Sequence, residues 1–251
     1  MDQVSVDRYL KLADNYLGTG VQSKLNQHYV PSVEPTFRVR READVIAYAA
    51  THLTYTVNMA IGNIFVDAIE SASEVEAKSC PTDYVWRTAG SKGADELFAI
   101  LEMKIHGGIK PDIFHRTTET RALAADQAAE QVGRLAPDTY FKGGGTREYP
   151  VIQQMSNYAH NDMFDTRYVS LFDGIYLFLG IFSEGTNGVP ALKGTLLPCR
   201  GDEGRHARKA LLGWLIEAKM EKTNGHNHFV GRVPRDLPPR GDGPGQAHRK
   251  K

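Results

Sequence analysis

Cysteine is scarce in this chain of 251 residues: Cys80 and Cys199 are the two present. Neither has a Cys or His at metal-ligand spacing, which argues against a disulfide framework and against a structural zinc site. A reducing compartment, cytoplasmic or nuclear, is the expectation. Surplus charge of either sign is also lacking. Lys+Arg and Asp+Glu both number 30, so no global basic field gathers polyanions, and any site for them has to be local. No stretch approaches the ~18 consecutive apolar residues of a membrane span. The opening residues, Met1 to Asp7, hold no basic segment followed by an apolar run. An intracellular protein without a membrane partner is therefore expected, with its oligomeric state left open. Two common catalytic signatures are missing as well. Gly143-Gly144-Gly145 is not followed by the Lys-Ser/Thr of a phosphate-binding loop, and no Gly-x-Ser-x-Gly elbow occurs.

What the chain does have is an ordinary globular composition, 41% apolar and 24% charged, long enough for one large domain with appendages. Residues 1–37 read as an N-terminal helical preface and 38–230 as the main domain. Residues 231–251, with Pro234, Pro238, Pro239, Pro244 and Arg249-Lys250-Lys251, read as a disordered, mildly basic tail. Val45, Ala49, Leu53, Val57 and Ile61 recur at helical spacing from Glu42 onward, predicting a long amphipathic helix broken near Gly62.

Two strands are predicted around Tyr84-Val85-Trp86 and Leu97 to Leu101, and a helix over Thr117 to Leu135. Tyr168 to Phe172 and Ile175 to Phe182 flank Asp173-Gly174, a dipeptide suited to a two-residue hairpin turn. A strand over Leu192 to Leu197 and a helix over Arg205 to Met220 complete the reading, which amounts to an α/β (α+β) chain.

The residues that carry chemistry sit around the first strand pair. Pro81-Thr82-Asp83 opens one strand and Glu102-Met103-Lys104 closes the next. Strand side chains alternate faces, so Glu102 and Lys104 leave the sheet on one side together. If the strands are neighbours, Asp83 joins Glu102 as a second carboxylate. Two carboxylates suit a Mg²⁺ or Mn²⁺ ion, which prefers hard oxygen ligands. A lysine beside them can orient an attacking water and offset charge on a phosphate. Glu42, on the first turn of the long helix, either serves the helix dipole or points along the buried stripe toward the same place. Gln131 shares a helix face with Ala124, Ala128 and Leu135. It either reaches the site with its amide or is an exposed helix former. His226 and His228 have no acidic or Cys partner at ligand spacing.

This order of features, helix with Glu42, strand with Asp83, strand with Glu102-Met103-Lys104, helix with Gln131, resembles the PD-(D/E)XK, or restriction-endonuclease-like, superfamily. Among its members the chain looks most similar to fungal PD-(D/E)XK nuclease-like proteins, which also offer a counterpart to Arg167 to Gly174 and the aromatic strand after it. The resemblance spans roughly residues 40–182 and rests on short motifs in order. It implies a central mixed sheet flanked by helices and metal-dependent hydrolysis of phosphodiester bonds in DNA or RNA. It also implies roles: Asp83, Glu102 and Glu42 as ligands of Mg²⁺ or Mn²⁺, Lys104 as catalytic lysine, and Gln131 as the helix glutamine of the site. Arg38, Arg40, Arg41, Arg87, Lys92 and Lys104 would then have to supply the local phosphate contacts. The alternative is a catalytically silent nuclease-like module that binds nucleic acid or protein.

Overall fold

The computed structural model describes residues 2–3, 6–17, 41–65, 69–75, 82–88, 97–109, 155, 158–159, 166–184, 190–199, 204 and 206–226. The expected helix over Thr117 to Leu135, with Gln131 in it, lies outside the described residues. So do the glycine run at 143–145 and the tail from residue 231.

Seven strands form one mixed sheet: β1 (Asp2–Gln3), β2 (Ile69–Val75), β3 (Thr82–Thr88), β4 (Leu97–Met103), β5 (Tyr168–Phe172), β6 (Tyr176–Glu184) and β7 (Pro190–Pro198). Their spatial order is β1-β7-β6-β5-β4-β3-β2. The β1–β7 and β4–β5 pairs are parallel and the others antiparallel. Strands β4 and β5 lie centrally and are buried throughout, which is why Leu97 to Leu101 shows no polar alternation. Four α-helices are described: α1 (Val6–Tyr16), α2 (Glu42–Ala49), α3 (Tyr55–Ile64) and α4 (Ala207–Thr223). Together with Leu101, Met103, Tyr168 and Phe172 they form the larger core on one face of the sheet. Helical residues Met155, Tyr158 and Ala159 pack on Ile100, Val169, Leu171 and Phe178 in a second core. Helical residues thus cover both faces, and the protein is a mixed α/β fold.

The helix expected to break near Gly62 instead runs through it to Ile64. Its irregularity lies earlier, in a π-helical turn at Ala50–Thr54 that joins α2 to α3. The cause is visible in the stripe Val45, Ala49, Leu53, Val57 and Ile61, all buried. A strict spacing of four drifts around an α-helix of 3.6 residues per turn, and one wide turn returns the stripe to the core. Thr54 Oγ1 donates to Ala49 O (3.4 Å) inside that turn. Across the interface, Arg208 Nε donates to His52 O (2.6 Å).

α4 is the central helix of the larger core. Every residue from Ala207 to Lys219 is buried, although Arg208, Lys209, Glu217 and Lys219 are among them. Buried charge persists only where it is partnered. Lys209 pairs with Asp14 of α1, Glu217 with Arg8 (2.8 Å), and Lys219 Nζ donates to Thr88 Oγ1 (2.7 Å). At Gly213 the helix lies directly against the Tyr9 backbone, where a Cβ would collide. The N-terminal helix therefore belongs to the same core as the sheet. Among the described residues, no helix is long and apolar enough to cross a membrane.

Candidate metal centre

Strands β3 and β4 pair antiparallel, with Tyr84 opposite Leu101 and Val85 opposite Ile100. Trp86 pairs with Ala99 and Arg87 with Leu97, so Phe98 is one extra residue on β4, a bulge that resets the alternation of faces. Beyond it the alternation is regular. Ala99, Leu101 and Met103 enter the larger core and Ile100 the second one, so Glu102 leaves on the second core's side. Carrying the register one step past Tyr84–Leu101 sets Asp83 across from Glu102. There the Asp83 side chain takes part in the ladder itself: its Oδ2 accepts from the Met103 N–H at 2.6 Å.

Lys104 follows the end of β4, and its N–H donates to Phe172 O at the end of β5 (2.8 Å). Its ammonium turns back onto Glu102, with Nζ 2.7 Å from Oε1. The other oxygen of Glu102, Oε2, accepts from the Tyr158 hydroxyl at 2.9 Å. Glu42 enters from the first turn of α2, its Oε1 3.8 Å from Lys104 Nζ. Capping of that helix falls to Asp44, whose Oδ2 accepts from the Arg41 N–H (2.9 Å), so Glu42 faces the lysine instead. The loop after Lys104 is pinned by Asp173, a buried carboxylate accepting from the N–H groups of Ile109 (2.8 Å), Ile175 (2.8 Å) and Tyr176 (2.7 Å). Asp173 N donates to Tyr176 O, which leaves Gly174 and Ile175 as the turn residues in place of Asp173-Gly174. Gly174 takes the positive φ of 83° that the turn requires.

One carboxylate oxygen from each of Glu42, Asp83 and Glu102 lies within 4.8 Å of the others. Such proximity is electrostatically uphill. The Asp83 carboxyl is pushed up to about 7, first by burial and then by the neighbouring Glu102 charge, against the opposing pull of the Met103 N–H and Lys104. Glu102 is buried and Lys104 nearly so, whereas the Glu42 side chain is half exposed. The cluster thus opens to solvent on the Glu42 side. Three hard oxygen donors this close together are a donor set that suits a divalent metal ion.

Of the residues expected at the site, the fold brings Glu42, Asp83, Glu102 and Lys104 together, and Gln131 lies outside the described residues. Arg87 sits at the far end of β3 from Asp83 and is held by Glu70 (2.9 Å), so it makes no contact with the cluster. Arg41 pairs with Asp44. Tyr158 and Asp173 were not anticipated as site residues. The signal for Tyr158 is the helical spacing of Met155, Tyr158 and Ala159, which marks a buried tyrosine whose hydroxyl needs a partner. Comparison with protein-family models, with curated proteins and with solved structures finds no match.

Proposed function

We propose that the protein is a metal-dependent nuclease that hydrolyses phosphodiester bonds of DNA or RNA, on a restriction-endonuclease-like fold. The observation that supports this reading most is the convergence of Glu42, Asp83 and Glu102 within 4.8 Å, with the Lys104 ammonium 2.7 Å from Glu102. Among the described residues, three carboxylates and one ammonium thus meet at the ends of two paired strands.

In the proposed chemistry Glu42, Asp83 and Glu102 hold Mg²⁺ or Mn²⁺. The ion, when bound, supplies charge neutralisation at the phosphoryl group and acidification of water. Glu102 keeps the Lys104 side chain turned toward the cluster. From there the ammonium donates a hydrogen bond to a phosphoryl oxygen and offsets its negative charge while water attacks phosphorus: the new P–O bond forms as the bond to the leaving oxygen breaks, the water's proton passes to solvent, and the leaving oxygen takes one up from solvent. Asp173 fixes the backbone that follows Lys104, so the lysine is presented from a rigid strand end.

The test is cleavage of plasmid DNA and of single-stranded DNA and RNA with Mg²⁺ or Mn²⁺, beside Lys104→Ala. Cleavage that EDTA abolishes and the substitution suppresses supports the nuclease reading. Binding of nucleic acid without cleavage would instead identify a silent module.

A further inference from the structure

The geometry points to Tyr158 as a positioning residue that fixes the Glu102 carboxylate for cation binding, an inference that rests on the metal-dependent reading above. Glu102 is the most enclosed of the three acids. Its two oxygens are engaged from two sides: Oε1 faces Lys104 Nζ at 2.7 Å and Oε2 accepts the Tyr158 hydroxyl at 2.9 Å. Donors on both oxygens hold the carboxylate plane against rotation about its last side-chain bond. The lone pairs left over then point in set directions.

Tyr158 can impose this orientation because it is itself immobilised. It is 1% exposed and packs in the second core with Ile100, Val169 and Leu171. All three of those residues belong to the parallel β4–β5 pair, in which Glu102 stands directly beside Leu171. The ring and the acid it orients are therefore anchored to one rigid unit. Lys104 cannot supply the same restraint alone, since its ammonium sits on a flexible stem and is shared with Glu42 at 3.8 Å. Partners of metal ligands that fix ligand orientation typically carry about 10- to 100-fold in metal affinity.

The experiment compares Mn²⁺ binding by titration calorimetry, on the full chain at one pH, for wild type, Tyr158→Phe and Tyr168→Phe. Melting in EDTA is measured alongside. Tyr158→Phe keeps the ring and removes only the hydroxyl. Tyr168→Phe deletes the same group from a similar bond to Glu217, 2.9 Å long and remote from the cluster. The expected result is about a tenfold weaker Mn²⁺ affinity for Tyr158→Phe alone. In activity titrations, the Mn²⁺ concentration for half-maximal cleavage should rise by the same factor, with the plateau changed far less. Equal or tighter Mn²⁺ binding by Tyr158→Phe, with or without a lower melting temperature, would overturn the positioning role and leave the metal reading standing. No Mn²⁺ binding by wild type would overturn both.

Discussion

At one end of the β4–β5 pair, Glu42, Asp83 and Glu102 crowd together around Lys104. At the other end, where β5 begins, Glu217 and Glu221 of α4 meet Arg8, Arg167 and the Tyr168 hydroxyl. The second cluster is balanced: Arg8 pairs with Glu217 (2.8 Å) and Arg167 with Glu221 (3.5 Å), two acids against two bases. Tyr168 also donates to Glu217 at 2.9 Å. The first has three acids to one base among the described residues, and the Asp83 carboxyl there is pushed up first by burial and then by the neighbouring Glu102 charge. A buried tyrosine donates to a glutamate in both, so hydrogen bonding does not separate them. Charge balance among the described residues does. The balanced cluster joins α1, the start of β5 and α4, whereas the described residues of the other set three carboxylates against one ammonium at a strand end, the arrangement for which a divalent cation is proposed.

The largest effect expected from this contrast is on Lys104. Replacing it with alanine should lower cleavage on the order of 100-fold or more, the scale on which removal of one transition-state donor is felt. Mn²⁺ binding should survive the substitution, because all three carboxylates remain. Cleavage within a few-fold of wild type would show that the ammonium only neutralises Glu102 and would make the two clusters alike.

Asp83 offers a second way to separate the clusters. Its folded-state proton affinity, near 7 against an ordinary 3.8, means that the metal-free folded protein holds this proton more tightly than the unfolded chain does. Stability contributed here is therefore present at low pH and declines as pH rises from about 4 through about 7. Asp83→Asn removes that penalty and still offers an oxygen to the Met103 N–H. In EDTA at pH 8 it should melt a few degrees above wild type, with the gap narrowing toward pH 4, and added Mn²⁺ should raise the wild-type midpoint more than that of the variant. A variant less stable than wild type at pH 8 would show that the carboxylate is structurally compensated.

The reach of the sequence is uneven, and the two clusters show why. The Asp83–Glu102–Lys104 grouping follows from strand alternation and from two apolar runs joined by a loop, both local properties, and the β5–β6 hairpin is announced by Asp173-Gly174 in the same way. The bulge at Phe98 leaves no trace in composition, since Leu97 to Leu101 is apolar on both faces. The π turn was legible in principle from five apolar residues spaced by fours, yet that spacing also reads as a plain amphipathic helix. The second cluster was invisible. Arg8, Arg167, Tyr168 and Glu217 lie on three elements far apart in sequence, and Glu217 on α4 looks like a solvated charge until α1 is packed over it. The partner of Tyr158 is hidden for the same reason, being 56 residues away, although the spacing of Met155, Tyr158 and Ala159 marks the tyrosine itself as buried.

Within the balanced cluster the hydroxyl of Tyr168 should matter more than the guanidinium of Arg8. Tyr168→Phe leaves a buried carboxylate short of one donor and should cost about 1–3 kcal/mol, read as a lower urea midpoint with an unchanged slope. Mn²⁺ binding should be untouched, in contrast to Tyr158→Phe. A change in Mn²⁺ affinity would mean that the two ends of the sheet communicate.

The smallest effect expected is that of Arg8→Ala. The Arg8 side chain is 57% exposed, and ion pairs with a solvated partner are worth roughly 0–1 kcal/mol. The pair needs ionised Glu217, whose carboxyl is raised above its ordinary value chiefly by burial, with Arg8 pulling it back down. Loss of Arg8 lets that carboxyl rise further, so the cost of the substitution belongs to the pH range in which wild-type Glu217 is ionised and vanishes in acid, where Glu217 is protonated with or without Arg8. Urea midpoints of Arg8→Ala and wild type should therefore coincide near pH 4 and part slightly by pH 8. An equal loss at both pH values would assign the contribution to the packing of the arginine stem on α4, and the balance of charge at that end of the sheet would then be incidental to its stability.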